Sequence, residues 1–105
     1  MKPMTAELRT RVAAALKAMA HPTRLLLIEA LAQGERCVCE LTPLTGADVS
    51  TVSKHLALLR TAGLVHRRKQ ELNVYYSLAG DDAARIIGIM RAGVKTDLVR
   101  ALKAV

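Results

Sequence analysis

Cys37 and Cys39 are the two cysteines of this chain, one residue apart in Glu35-Arg36-Cys37-Val38-Cys39-Glu40-Leu41. Thiolates are soft donors, and a pair this close can chelate a soft metal or metalloid. The pair could also close to a disulfide, although so small a ring is strained, or sit inert as two small buried hydrophobes. A second set of residues suits nucleic acid. If 49–62 is a helix, Ser50, Ser53, Lys54 and Ala57 fall opposite the apolar stripe Val52, Leu56 and Leu59, with Thr51 beside them. Short hydroxyls and a lysine reach base edges and phosphates without bulk. Arg60, His66, Arg67, Arg68 and Lys69 follow within ten residues, against one acid, Glu71. Such a basic segment can lie along a phosphate backbone or minor groove. A thiol chelate beside a DNA-reading helix suggests a chemical sensor.

Other chemistry is less well supplied. A thiol enzyme needs an activated thiolate beside a base or an anion-binding loop. No such loop is visible, so we expect no enzyme activity and no catalytic cofactor. His21, His55 and His66 are scattered and make no metal-ligand spacing. His55 faces partly inward and reads as a packed, hydrogen-bonded histidine. Tyr75 and Tyr76 read as strand packing, and the four methionines as gap fillers.

The elements that must carry these residues are mostly helical. Leu8, Val12, Ala15, Leu16 and Met19 recur at helical spacing over 5–19, and His21-Pro22-Thr23 breaks that helix. A second helix carries Leu25, Leu26, Ile28 and Leu31 and stops at Gly34. A short helix spans about Cys39 to Leu44, and Thr45-Gly46 turns the chain. Asp48 can cap the helix 49–62, and Gly63 can end it in the left-handed conformation. Leu64 to Lys69 and Asn73 to Leu78 read as two strands joined as a hairpin, although no Asn-Gly or Asp-Gly turn marks the join. Asp81 or Asp82 caps a long last helix with apolar positions Ile87, Met90, Val94, Leu98, Ala101 and Val105. A short helix, a turn and a polar-faced helix make a helix-turn-helix, and a hairpin after it makes the winged form.

Composition agrees with one small domain that binds an anion. The chain has 105 residues, 51% hydrophobic, with no Phe or Trp, so Leu, Val, Ile and Ala must fill the core. A domain this small gains from a partner subunit, and the apolar faces of the first and last helices suit one. The net charge of +7 favours nucleic acid or an anionic membrane surface. The first eleven residues lack an apolar signal core, and no apolar run approaches the roughly 18 residues of a spanning helix. A cytoplasmic location with no membrane partner is therefore expected, where cysteines are more often ligands or redox groups than structural disulfides.

Several separate stretches resemble the ArsR/SmtB winged-helix repressors. Ser50-Thr51-Val52-Ser53-Lys54-His55-Leu56 through Leu64-Val65 is similar to that family's recognition helix. Ala20-His21-Pro22-Thr23-Arg24-Leu25 resembles its entry to helix two, and Val74-Tyr75-Tyr76-Ser77-Leu78 its second wing strand. The wing tip Lys69-Gln70-Glu71-Leu72 departs from the pattern in lacking a glycine. The resemblance, over roughly residues 15–80, implies a mainly α winged helix-turn-helix with five helices and a two-stranded wing. It further implies a homodimer, an inverted-repeat operator in double-stranded DNA, and repression relieved by a ligand. Arg36-Cys37-Val38-Cys39-Glu40-Leu41 resembles the thiol signature of the family's arsenic, antimony, lead and cadmium sensors, which makes Cys37 and Cys39 the implied ligands.

The implied inducer is trivalent arsenic or antimony. The commonest arsenic pattern has a third cysteine where this chain has Thr42, so a two-thiolate adduct completed by hydroxide or an external thiol is expected. Lead and cadmium sites in the family add N-terminal cysteines, and residues 1–36 contain none. A soft-metal sensor, a thiol-redox regulator and a ligand-independent DNA binder stand as alternatives. On an α-helix, residues i and i+2 point roughly 200° apart. The two sulfurs are thus expected to diverge, and a shared ligand to strain the first helix of the helix-turn-helix.

Overall fold

The computed structural model describes residues 1–104. Its helices begin and end where local chemistry dictates. Helix α1 (Ala6–Met19) starts at Thr5, whose hydroxyl accepts the Leu8 N–H at 3.1 Å. Helix α2 (Pro22–Leu31) opens on a proline, tolerated there because a first-turn N–H has no helical partner to lose. His21 caps it, its Nδ1 accepting the Thr23 N–H at 3.0 Å. After a two-residue strand β1 (Arg36–Cys37) comes the short helix α3 (Val38–Thr45). Gly46, at φ 70°, makes the turn into α4 (Val49–Thr61), where Asp48 accepts the Thr51 N–H at 2.8 Å. Gly63, at φ 78°, takes the chain out of α4.

Strands β2 (Val65–Gln70) and β3 (Asn73–Leu78) pair antiparallel, with Arg67 opposite Tyr76 and Arg68 opposite Tyr75. The wing is not the two-stranded hairpin expected from the sequence. β1 pairs with the free edge of β3, Arg36 opposite Tyr76 and Cys37 opposite Tyr75, giving a three-stranded sheet in the order β1-β3-β2. Two residues are too few to show a strand's alternation, so only the sheet edge reveals β1. Gln70 pairs with Asn73, leaving Glu71 and Leu72 as the connection. Glu71 takes φ 56°, a conformation that glycine adopts far more readily.

The core fills the angle between α2, α3, α4 and the sheet. Leu27, Ile28, Leu41, Val52, Leu56 and Leu59 are fully buried, and Val65 and Tyr76 seal the sheet side. Helix α5 (Asp82–Lys103) buries Ala83 and tucks Ile87 against this core. Asp81 precedes α5 without a side-chain capping bond, contrary to the cap expected there, and Asp82 sits in its first turn. Beyond Ile87 the helix is largely uncovered: Met90, Val94 and Leu98 are exposed, against the expected role of Met90 as a gap filler. Val105, assigned to this stripe from the sequence, lies outside the described residues. The radius of gyration is 15.8 Å, whereas a compact domain of this length has about 13 Å. The excess reflects long helices that this fold does not cover. None of the described helices is long and apolar enough to cross a membrane.

The wing tip gives a first prediction. A left-handed residue with a side chain costs about 1 kcal/mol or more, partly offset by the unfolded-state entropy of glycine. Glu71→Gly should raise the melting temperature by roughly 2–5 °C in a thermal scan. A fall would mean that the Glu71 side chain makes a contact worth more than the backbone strain.

Candidate functional site

Cys37 closes β1 and stands as the N-cap of α3, with extended backbone (φ −77°, ψ 158°), while Cys39 lies in the helix's first turn. Because Cys37 precedes the helix, the divergence expected for two helical residues does not arise. The Sγ atoms are in disulfide contact, with Cα atoms 5.2 Å apart. This corrects the sequence expectation: the two sulfurs converge while α3 stays intact. The thiols are unequal, since Cys37 is only 4% exposed and Cys39 faces solvent. The Cys37 N–H donates to the Glu40 carboxylate at 3.2 Å, and Glu40 in turn pairs with Arg36 at 3.6 Å. The Thr42 hydroxyl donates to the Val38 carbonyl at 2.8 Å. Pro43 has no N–H to give the Cys39 carbonyl, so α3 is loosely bonded at the exposed thiol. Among the described residues no cluster of three or more His, Cys, Asp or Glu side chains could hold a metal ion. The site offers two sulfurs and little else.

Ser50, Thr51, Ser53 and Lys54 are exposed together on the first turns of α4, just past the Asp48 cap. Further along, Ser53, Ala57, Arg60 and Thr61 form one wall of a cleft of about 420 Å³, and Arg67, Val74 and Tyr76 of the wing form the other. Val38, the residue between the thiols, also lines it. Helix α4 and the wing therefore flank a basic cleft whose wall includes the thiol segment. Nothing in the sequence pattern assigned Val38 to that place.

Successive residues of a strand face opposite ways, and Arg68 is on the side of the wing away from this cleft. Its Nε and Nη2 donate to the two carboxylate oxygens of Glu35 at 3.2 and 2.7 Å, and Nη1 donates to Gln70 Oε1. The guanidinium also lies 4.7 Å from the Tyr75 ring centroid. Hydrogen bonding to Arg68 holds the Glu35 carboxyl below the usual carboxylate range, and the same contact raises Arg68. Arg68, grouped from sequence with the DNA contacts, thus has its donors engaged by Glu35 and Gln70 at the surface. Glu35 was missed, because only the β1-β3-β2 order brings it within reach of a residue 33 positions away. Lys69 and His66 are exposed on the same strand.

His55, on the inner side of α4, is half-buried and accepts from Arg24 Nη1 through Nδ1 at 3.1 Å. The His21 ring centroid is 4.6 Å away. Burial lowers the His55 pKa, and the neighbouring His21 and Arg24 lower it further. His55 is therefore a structural post between α4 and the α1–α2 corner, as its spacing suggested.

Residues 21–67 match the family model described as bacterial regulatory protein, arsR family. A biofilm growth-associated repressor from Agrobacterium fabrum is 45% identical over 83 residues, 79% of this chain and 71% of that protein. The homodimeric winged helix-turn-helix DNA-binding domain of Mb0332 from Mycobacterium bovis superposes with a TM-score of 0.79 at 35% identity, covering 93% of this chain and 94% of that one. This chain belongs to the ArsR family. It is a DNA-binding winged helix-turn-helix regulator. A structure titled "possible transcriptional regulator for arsenical resistance" is also similar to it, with a TM-score of 0.64 at 32% identity over 87% of this chain and 94% of that one. Three other curated relatives of this ArsR-family chain are longer, the matched stretch spanning 38% to 62% of their length.

Two predictions follow from these positions. The folded state holds His55 below its unfolded pKa, so it favours the neutral ring. That contribution is full above the unfolded pKa of about 6.5 and is lost as pH falls from there through the lower folded value. The melting temperature should therefore drop between pH 7.5 and 5, and His55→Gln should flatten that slope; an unchanged slope would assign it to other groups. In the cleft, Arg60→Ala and Arg67→Ala should each weaken DNA binding and reduce the salt slope by about 0.9 if each neutralises one phosphate. Unchanged slopes in anisotropy titrations would place the phosphates elsewhere.

Proposed function

We propose that this ArsR-family regulator is a homodimeric repressor that holds an inverted-repeat operator and releases it when trivalent arsenic or antimony bridges Cys37 and Cys39. The observation that carries this reading is the pair of touching sulfurs, one exposed and one buried, at the junction of β1 and α3. Arsenite, As(OH)3, exchanges two hydroxyls for two thiolates, each thiol proton leaving with a hydroxyl as water. The product is a (Cys)2As–OH bridge. Exposed Cys39 meets the metalloid first, and Cys37 closes the chelate. Thiolate softness selects such an acceptor over harder ions. Cadmium and lead are served less well, since no further ligand cluster stands beside the pair among the described residues. Likeness to a protein titled for arsenical resistance supports the reading.

In this reading Ser50, Thr51, Ser53 and Lys54 meet base edges and nearby phosphates in the major groove, and Arg60, Arg67 and Lys69 meet the backbone. Dimerisation uses α1 and α5. Leu8, Val12 and Leu16 on one helix and Ile89, Met90, Val94 and Leu98 on the other are exposed, a larger apolar face than a monomer ordinarily leaves to water. Two readers related by a two-fold axis would meet half-sites about 34 Å or a multiple apart.

The touching sulfurs favour one second reading, a thiol-redox regulator. Two thiols would then give a disulfide, two protons and two electrons, with an oxidant such as peroxide taking the electrons and leaving as water. Operator binding separates the two. Cys37→Ser and Cys39→Ser should each bind operator like the parent yet ignore arsenite, because serine oxygen is a poor donor to a soft acceptor. Thr42→Ala should respond as the parent does. Arsenite release from either serine variant would remove the metalloid reading, and release by peroxide alone would install the redox one.

A further inference from the structure

Glu35 belongs neither to the reader nor to the thiol pair, yet it is tied to the wing. Both carboxylate oxygens accept from Arg68, and a two-point arginine–carboxylate contact fixes direction as well as distance. Gln70, two residues along β2, takes the third nitrogen, and the guanidinium lies against Tyr75. Tyr75 is opposite Arg68 across β2–β3 and opposite Cys37 across β1–β3. One tyrosine thus backs the thiol-bearing strand on one side and the arginine on the other. The acid and the arginine are 38% and 49% exposed, so the pair adds little to global stability. Its effect is on geometry. Helix α4 is insulated by comparison, being capped by its own Asp48 and held in the core by Val52, Leu56 and Leu59.

We infer that Glu35 is a positioning residue for the wing: through Arg68 it sets how β2 and the tip meet DNA, and its place two residues before Cys37 makes the wing the route from thiol chemistry to operator release. The second half rests on the sensor reading above; the first does not. β1 is only two residues long, so a backbone change at Cys37 when the chelate closes is passed to its neighbours. Glu35 then shifts against Arg68, and the wing shifts with it.

The test uses the reduced full-length protein and two duplexes: one enriched by the protein from a randomised pool, and one of the same composition with shuffled sequence. Removing the charge of Glu35 alters electrostatic affinity for both duplexes alike. Their affinity ratio moves only if the fit to the selected sequence moves. Glu35→Gln should lower this ratio about three- to tenfold, the size of an interaction between directly contacting residues. Arg68→Ala should lower it similarly, and the double variant should be no worse than Arg68→Ala alone. An unchanged ratio in Glu35→Gln, or losses that multiply in the double variant, would overturn the positioning role. Arsenite is then added. Glu35→Gln should take up arsenite on its thiols as the parent does, while the arsenite-induced loss of affinity shrinks at least about threefold, within the range of typical coupling energies. An undiminished loss would overturn the wing route. No response in the parent would overturn the sensor reading and the route with it, leaving the ratio to decide the role of Glu35.

Discussion

The pairing of β1 with β3 is the contact on which the functional geometry depends. It involves two residues, yet it fixes three things at once. It holds Cys37 in extended backbone, so that the thiol meets Cys39 rather than diverging from it. It places Val38 in the wall of the cleft between α4 and the wing. It also brings Glu35 to Arg68. A thiol pair placed wholly within a helix would have its sulfurs on opposite sides and could take one ligand only by unwinding. The strand-to-helix junction avoids that cost and makes the pair accessible from one side, through Cys39.

Under the proposed sensor function, this arrangement changes how thiol chemistry would reach DNA. A ligand that had to unwind α3 would act on the helix-turn-helix directly. A ligand that closes over a preformed pair perturbs the junction more gently and needs a lever. The sheet supplies one, because the same three strands carry Cys37, Tyr75 and the wing arginines. A coupling of about 1–3 kcal/mol is enough for regulation of this kind, and a small change in wing angle at several phosphates can supply it. The long helices α1 and α5 meanwhile leave exposed apolar side chains that suit a partner subunit.

Much of this was legible in the sequence, and the rest was hidden for identifiable reasons. Pro22, Asp48, Gly46 and Gly63 mark helix ends by local chemistry that does not depend on the rest of the chain, and the structure places boundaries there. The stripe Val52, Leu56 and Leu59 is buried as its period demands. β1 was hidden because two residues carry no period, and with it went the convergence of the sulfurs and the partner of Arg68. Period two separates Arg67 from Arg68, but does not say which of them faces α4 until the sheet is docked. Asp81 has the right residue type for a cap and makes no capping bond. The two cysteines were legible as a candidate pair from their spacing; their unequal exposure was not.

The central claim is that the two thiols and operator release are one event. Its most direct measurement is a titration of the reduced protein on operator DNA with arsenite, in which free thiols, bound arsenic and DNA anisotropy are followed in the same samples. The account predicts that one arsenic is bound and two thiols are lost per subunit, and that DNA is released in step with that loss. Release with both thiols still free, or full thiol loss with the DNA still bound, would contradict it.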